Sequence, residues 1–275
     1  MSEVAPEPRP PAPTPLGALV LTGLAWGTMV LVTVLATPAT GGTLGLALGC
    51  ALGFGGAGTL AARQVAAPAE RRIGLCGFAP RLLFALVLLV PWVLLASELD
   101  NWIALLFPGA KEPAADQAAF DGLAALEVVL FAALLRPVLE EFFFRGVVQQ
   151  GLVATLGPAR GVLLAASLYA LVRASLGVGD EYRTLTMGAQ ALLDGLLLGA
   201  LRLASGSILP GILLQMGVVG IGLGAVAAAA WLPIPGFNAS GAHTPLAWLL
   251  PAAFSVGLGL ALLVRARPPR VRSGA

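Results

Sequence analysis

The chain has 275 residues, of which 58% are hydrophobic and only 11% charged, with a mean hydropathy of +0.90 and a formal net charge of +2. Ordinary soluble domains are roughly a quarter charged, so this composition excludes a cytoplasmic enzyme, a nucleic-acid binder and a disordered protein. Two cysteines, Cys50 and Cys76, are too few for a secreted disulfide scaffold and read as small apolar packing residues.

Six prolines stand among the first fifteen residues (Pro6, Pro8, Pro10, Pro11, Pro13, Pro15), so residues 1–15 are expected to form an extended, disordered tail. No basic segment leads there into a short apolar run with a cleavage site, so it does not read as a secretory signal. A bilayer-crossing helix needs about 20 mostly apolar residues. Stretches meeting that demand fall at roughly 16–36, 43–62, 82–106, 120–139, 159–176, 187–204, 207–231 and 245–264. The fold class is therefore all-α, a polytopic membrane bundle of about eight helices. The third span is interrupted by Pro91 and carries Glu98, Asp100 and Asn101, so it is expected to end near Ala96. The bundle occupies 16–265, and a basic tail follows at 266–275.

Orientation follows from the cations of short loops. Arg63, Arg71, Arg72 and Arg81 follow the second span, Arg145 and Arg160 the fourth, Arg202 the sixth, and Arg265, Arg267, Arg270 and Arg272 the last. The alternate loops are mostly acidic or uncharged, with Glu98, Asp100, Glu112 and Asp116 against Lys111 in one and Asp180 and Glu181 against Arg183 in another. Eight spans put every basic segment on one side, which places both termini in the cytoplasm; seven or nine would break the segregation. The excess of arginine over lysine, with abundant Ala and Gly, points to a GC-rich bacterial genome and hence to a bacterial inner membrane. Gly41, Gly45, Gly49 and Gly53 form a ridge of small residues along the second span, and Gly195 and Gly199 a shorter one along the sixth; such ridges let a neighbouring helix approach closely.

Ionisable side chains inside a bilayer are costly unless paired or hydrated, so each is a candidate functional group. These are Glu127, Arg136, Glu140, Glu141, Arg145, Arg173 and Asp194. The densest cluster is Arg136-Pro137-Val138-Leu139-Glu140-Glu141-Phe142-Phe143-Phe144-Arg145-Gly146. Glu141 and Arg145 are four apart and share a helix face, where they can pair. Glu140 is rotated about 100° from Glu141 and can point elsewhere in the bundle. One carboxylate can then be a structural ion pair and the other a general base; a charged helix end at the interface is the plain alternative. Asp194 is expected near Arg173 or Arg145. The three phenylalanines are expected to pack against lipid and neighbouring helices, and the single histidine, His243, to be a solvated residue of the loop between spans seven and eight.

Residues 137–146, Pro-Val-Leu-Glu-Glu-Phe-Phe-Phe-Arg-Gly, resemble the first signature of the CPBP intramembrane proteases, relatives of the type II CAAX prenyl endopeptidases, whose pattern is EExxxR followed by Gly. Ser207–Leu214, Gly195–Gly199 and Leu164–Val172 resemble the lead-ins to the later signatures, so the resemblance runs from about 120 to 220. It implies hydrolysis of a peptide bond within the membrane. The first Glu, here Glu140, would activate water with a His of an FxxxH motif, and a second His, four residues before an Asn or Asp, would bind a metal or polarise the scissile carbonyl.

This sequence departs from that pattern at the decisive positions. The FxxxH slot is Tyr169-Ala170-Leu171-Val172-Arg173, the later His slot is Gln215, and the Asn slot is Val219. Arginine stays protonated, so it neither accepts a proton nor ligates a metal; beside Glu140 it would hold the carboxylate as an ion pair. Gln215 can donate to an oxyanion but ligates metal poorly, and Val219 offers no polar atom. The expectation is a kept scaffold with lost water-activating machinery, binding membrane proteins or lipidated peptides within the lipid bilayer and needing no cofactor. The alternative is an intramembrane endopeptidase with an altered site built from Glu140, Glu141, Arg145 and Gln215, the one case in which zinc is expected. A small transporter is the third reading.

Overall fold

The computed structural model describes residues 12–107 and 123–265. The disordered tail and the basic C-terminal tail expected from the sequence fall largely on residues 1–11 and 266–275, outside those described. The described chain is helical throughout its ordered elements, with one isolated bridge between Pro235 and Ala239.

Helix α1 (Pro15–Thr40) starts inside the segment expected to be tail, because Thr14 caps it through Gly17 N–H and Pro15 supplies a first-turn residue that needs no donor. Gln150 also donates to the Ala12 carbonyl, tying the segment before the helix down. Gly41, at φ 84°, turns the chain, and α2 (Gly42–Ala62) returns along α1. A Cβ on Gly45, Gly49 or Gly53 would come within 2.5 Å of Thr37, Thr33 and the Ala25 carbonyl respectively. The ridge is thus the seam of the α1–α2 hairpin, while Gly41 serves the turn.

A short helix α3 (Ala69–Ile73) precedes α4 (Arg81–Leu89) and α5 (Trp92–Ala104). Pro91 breaks α4 from α5 by one turn, yet the two run on as one 24-residue span. The expected end near Ala96 is therefore corrected to Ala104. The polar residues inside α5 are satisfied instead of ending it. Glu98 accepts from Asn101 (2.7 Å) and from the Thr244 backbone N–H (2.8 Å), and meets His243 Nδ1 at 2.7 Å; Asn101 also donates to the Gly236 carbonyl at 2.9 Å. His243 is exposed but anchored, with its ring 4.8 Å from that of Trp102, not merely solvated.

Helix α6 (123–156) is continuous, with π-type turns at Leu130–Leu135 and Glu141–Val148. Gly157 reverses the chain into α7 (Pro158–Ser175), and Asp180 caps α8 (Glu181–Ser205). Helices α9 (Leu209–Ala227) and α10 (Leu246–Arg265) complete the bundle. Six helices are long and apolar enough to cross a membrane: α1, α2, α4–α5, α8, α9 and α10. The chain is a multi-pass membrane protein. The expected fourth and fifth spans exist as helices α6 and α7 but are not among these six, since they carry the charged cluster and two arginines. A Cβ on Gly195 or Gly199 would come within 2.9 Å of Ala166 or 2.7 Å of Val162, so these glycines let α8 close on α7. The core is built on Phe143 and Phe144, both fully buried against Phe54. These two phenylalanines pack against neighbouring helices as expected, but at 0% exposure they do not also face lipid; Phe142 is half-buried.

Candidate functional site

The site is assembled by α6, α7, α8 and α9, around two adjacent glutamates that part company as their helix rotates. Glu141 is fully buried. Its Oε1 lies 3.2 Å from Arg145 Nη1 and accepts from Gln215 Nε2 at 2.8 Å. Arg145 is itself buried, and its guanidinium lies over the Tyr169 ring, 4.4 Å from the centroid. Among the described residues neither Arg145 Nη1 nor Nη2 has a hydrogen-bond partner. Charge and the ring's negative face hold this head group, not directed hydrogen bonds. The other carboxylate oxygen, Glu141 Oε2, occupies the space that a Cβ on Gly211 would need, 2.2 Å away. Gly211, near the start of α9, is therefore what lets the acid enter.

Glu140 faces a separate set of partners. Its Oε1 lies 3.1 Å from Arg136 Nε and 3.7 Å from Arg173 Nη1, and its Oε2 accepts from the Tyr169 hydroxyl at 2.9 Å. Both oxygens are engaged. Tyr169 serves both acids, bonding Glu140 through its hydroxyl and stacking Arg145 on its ring. Arg173 thus lies beside Glu140, and Gln215 beside Glu141. Val219 lies one turn beyond Gln215 on α9, with no polar atom to add.

A cavity of about 90 Å³ opens beside this cluster, lined by Arg136, Arg173, Tyr169, Asp194, Gln215 and Val219 among others. Neither glutamate lines it; their partners stand between. Asp194 shares the cavity with Arg173 but is bonded to the Trp92 indole N–H at 2.6 Å instead of pairing with either expected arginine. Glu127 lies exposed on α6, outside the cluster. His243 is held at Glu98, away from the cluster.

The metal that the protease resemblance implies does not fit these residues. The positions that would donate imidazole carry a guanidinium and a carboxamide, and among the described residues no three His, Cys, Asp or Glu gather as ligands. Sequence reasoning left Arg136 and Tyr169 without a role at the site. Arg136 was legible, because Arg136–Glu140 repeats the four-residue spacing of Glu141–Arg145. The bond between Trp92 and Asp194 was not, the two being 102 positions apart.

Residues 122–221 match the family described as Rce1-like, type II CAAX prenyl endopeptidase Rce1-like. The match begins at the start of α6 and ends within α9, and so contains both glutamates and all three substituted positions. No curated protein and no solved structure matches the chain.

Proposed function

We propose, from the premise that this chain is a relative of the CPBP intramembrane proteases, a multi-pass membrane protein carrying an Rce1-like domain of CAAX-protease type, that it is a non-catalytic member that binds membrane partners in the inherited groove. The observation that carries the reading is the engagement of Glu140. A general base must reach a water and take its proton. Here one oxygen of Glu140 faces two guanidiniums and the other a phenol, and the neighbouring imidazole position is a permanent cation. In this reading the three substituted positions abolish water activation while the ion pairs keep the bundle together.

The test is a cleavage assay on the cell's membrane proteome. It compares the wild type with Glu140→Gln and with the triple variant Arg173→His, Gln215→His, Val219→Asn. The expected outcome is no cleavage by the wild type, no difference on Glu140→Gln, and gain of cleavage by the triple variant. Wild-type cleavage that Glu140→Gln abolishes overturns the reading in favour of an endopeptidase with an altered site. The cavity beside Tyr169 and Gln215 is the observation that favours this second reading, since it would admit water and a carbonyl.

Eight crossings with both ends of the bundle in the cytoplasm of a bacterial inner membrane complete the proposal. Two sets of contacts support the part of it that groups the basic loops at one end and the acidic ones at the other. At one end the arginine-rich loop after α2 meets the α8–α9 turn, where Arg202 donates to the Arg72 carbonyl and Ile208 N–H to the Gly74 carbonyl. At the other, Tyr182 donates to Asp100 at 2.6 Å and Glu98 holds the loop before α10.

A further inference from the structure

The cavity beside Glu140 presents more charge than its protein partners use. Arg136 from α6 and Arg173 from α7 converge on one carboxylate oxygen, at 3.1 and 3.7 Å. A guanidinium has five N–H donors and no acceptor. Among the described residues neither of these two makes a hydrogen bond within the protein, their side chains keep 22% and 17% exposure, and both line the cavity. Facing the same space from α8 and α5 are Asp194 and Trp92. Asp194 accepts only the indole N–H and forms no ion pair among the described residues. The cavity therefore offers surplus cationic donors together with an acceptor carboxylate beside an aromatic ring.

We propose that this cavity binds the headgroup of a zwitterionic phospholipid bearing a primary amine, with its phosphate on Arg136 and Arg173 and its ammonium on Asp194 beside Trp92. A phosphodiester shares its one negative charge over two non-bridging oxygens, each an acceptor for a guanidinium fork. A primary ammonium can donate hydrogen bonds to Asp194, which a quaternary ammonium cannot, and both can lie against an indole face. Basic pockets between membrane helices recognise anionic headgroups; the added carboxylate turns that preference toward a headgroup carrying both signs. A volume of about 90 Å³ suits a headgroup, since one water needs only about 10–15 Å³ by the same measure. Leu214 and Val218, which also line it, suit the apolar stem. The inference rests on the proposed loss of hydrolytic chemistry only in that the same cavity is used, and its test reads no cleavage.

The experiment is native mass spectrometry of the full chain released from phosphatidylcholine vesicles containing equal small fractions of phosphatidylethanolamine and phosphatidylglycerol. The wild type is expected to retain phosphatidylethanolamine over the other two by about tenfold, the factor of one charge-assisted hydrogen bond. Arg173→Gln should lower retention of both phosphatidylethanolamine and phosphatidylglycerol, and Asp194→Asn should shift preference toward phosphatidylglycerol. The two variants act on opposite charges, so a general folding defect cannot produce both results. Equal retention of all three lipids by the wild type, or an unchanged preference in both variants, overturns the inference. Displacement of the lipid by stoichiometric soluble O-phosphoethanolamine would assign the site to a free headgroup and overturn the lipid. Cleavage with intact lipid selectivity would sink the non-catalytic reading alone; absent selectivity without cleavage would sink this inference alone.

Discussion

Two glutamates in sequence have unlike surroundings because a helix turns about 100° per residue. Glu141 and Arg145 are both buried, and removing one partner strands the other without water. Glu141→Ala is therefore expected to destabilise the protein by about 3–5 kcal/mol, whereas the apolar double variant Glu141→Leu, Arg145→Met should recover most of that loss. Thermal unfolding in detergent measures both, and equal losses in single and double variants would show that the ion pair is not what fills this site. Gly211 supplies a second measurement. Alanine there places a methyl 2.2 Å from the present position of Glu141 Oε2, and overpacking of that kind costs about 1–3 kcal/mol. Glu141→Ala should remove most of the penalty, so the two substitutions are expected to be non-additive.

At the scale of elements, the small-residue seams do what side-chain packing cannot. Lipid tails are as apolar as leucine, so helices in a bilayer associate through close backbone approach. A Cβ on Gly53 would come 2.5 Å from the Ala25 carbonyl oxygen, while one on Gly56, three residues on, would meet nothing within 4 Å. Gly53→Ala is expected to lower the unfolding temperature, and Gly56→Ala to leave it unchanged or raise it by removing backbone freedom from the unfolded chain, worth about 0.4–1 kcal/mol. Equal effects would mean that the α1–α2 seam is not packed as described. The break at Pro91 shows a second lesson. Pro91 together with acidic residues ordinarily ends an apolar span, but α5 continues because Glu98 and Asn101 find partners in the loop before α10.

At the scale of the whole molecule, the proposed topology puts the arginine-rich loop and the loop before α10 on opposite faces. With Cys50→Ala and Cys76→Ser as background, a single Ala66→Cys is expected to react with an impermeant thiol reagent only after the cell membrane is opened, and Ser240→Cys to react in intact cells. The same sidedness for both positions would break the eight-crossing arrangement. The helices that decide the count, α6 and α7, are those whose charges keep them from qualifying by apolarity; a third position at the exposed α6–α7 turn, Ala159→Cys, separates eight crossings, which place it with Ala66, from six, which place it with Ser240.

Composition and periodicity determined by themselves that this is a helical membrane protein, where most helices lie, and which carboxylates share a face with which arginine, because these follow from local chemistry and a fixed helical repeat. The pairing of Glu141 with Arg145 was legible in a four-residue spacing, and so was the missed pairing of Glu140 with Arg136. Only the tertiary structure decided that Tyr169 serves both acids, that Gly211 makes room for one of them, that Arg173 stands beside Glu140, and that Trp92 bonds Asp194 across a shared cavity. Those contacts join residues far apart in the chain, and they depend on how closely the helices approach and how they are rotated against one another, which no local pattern encodes.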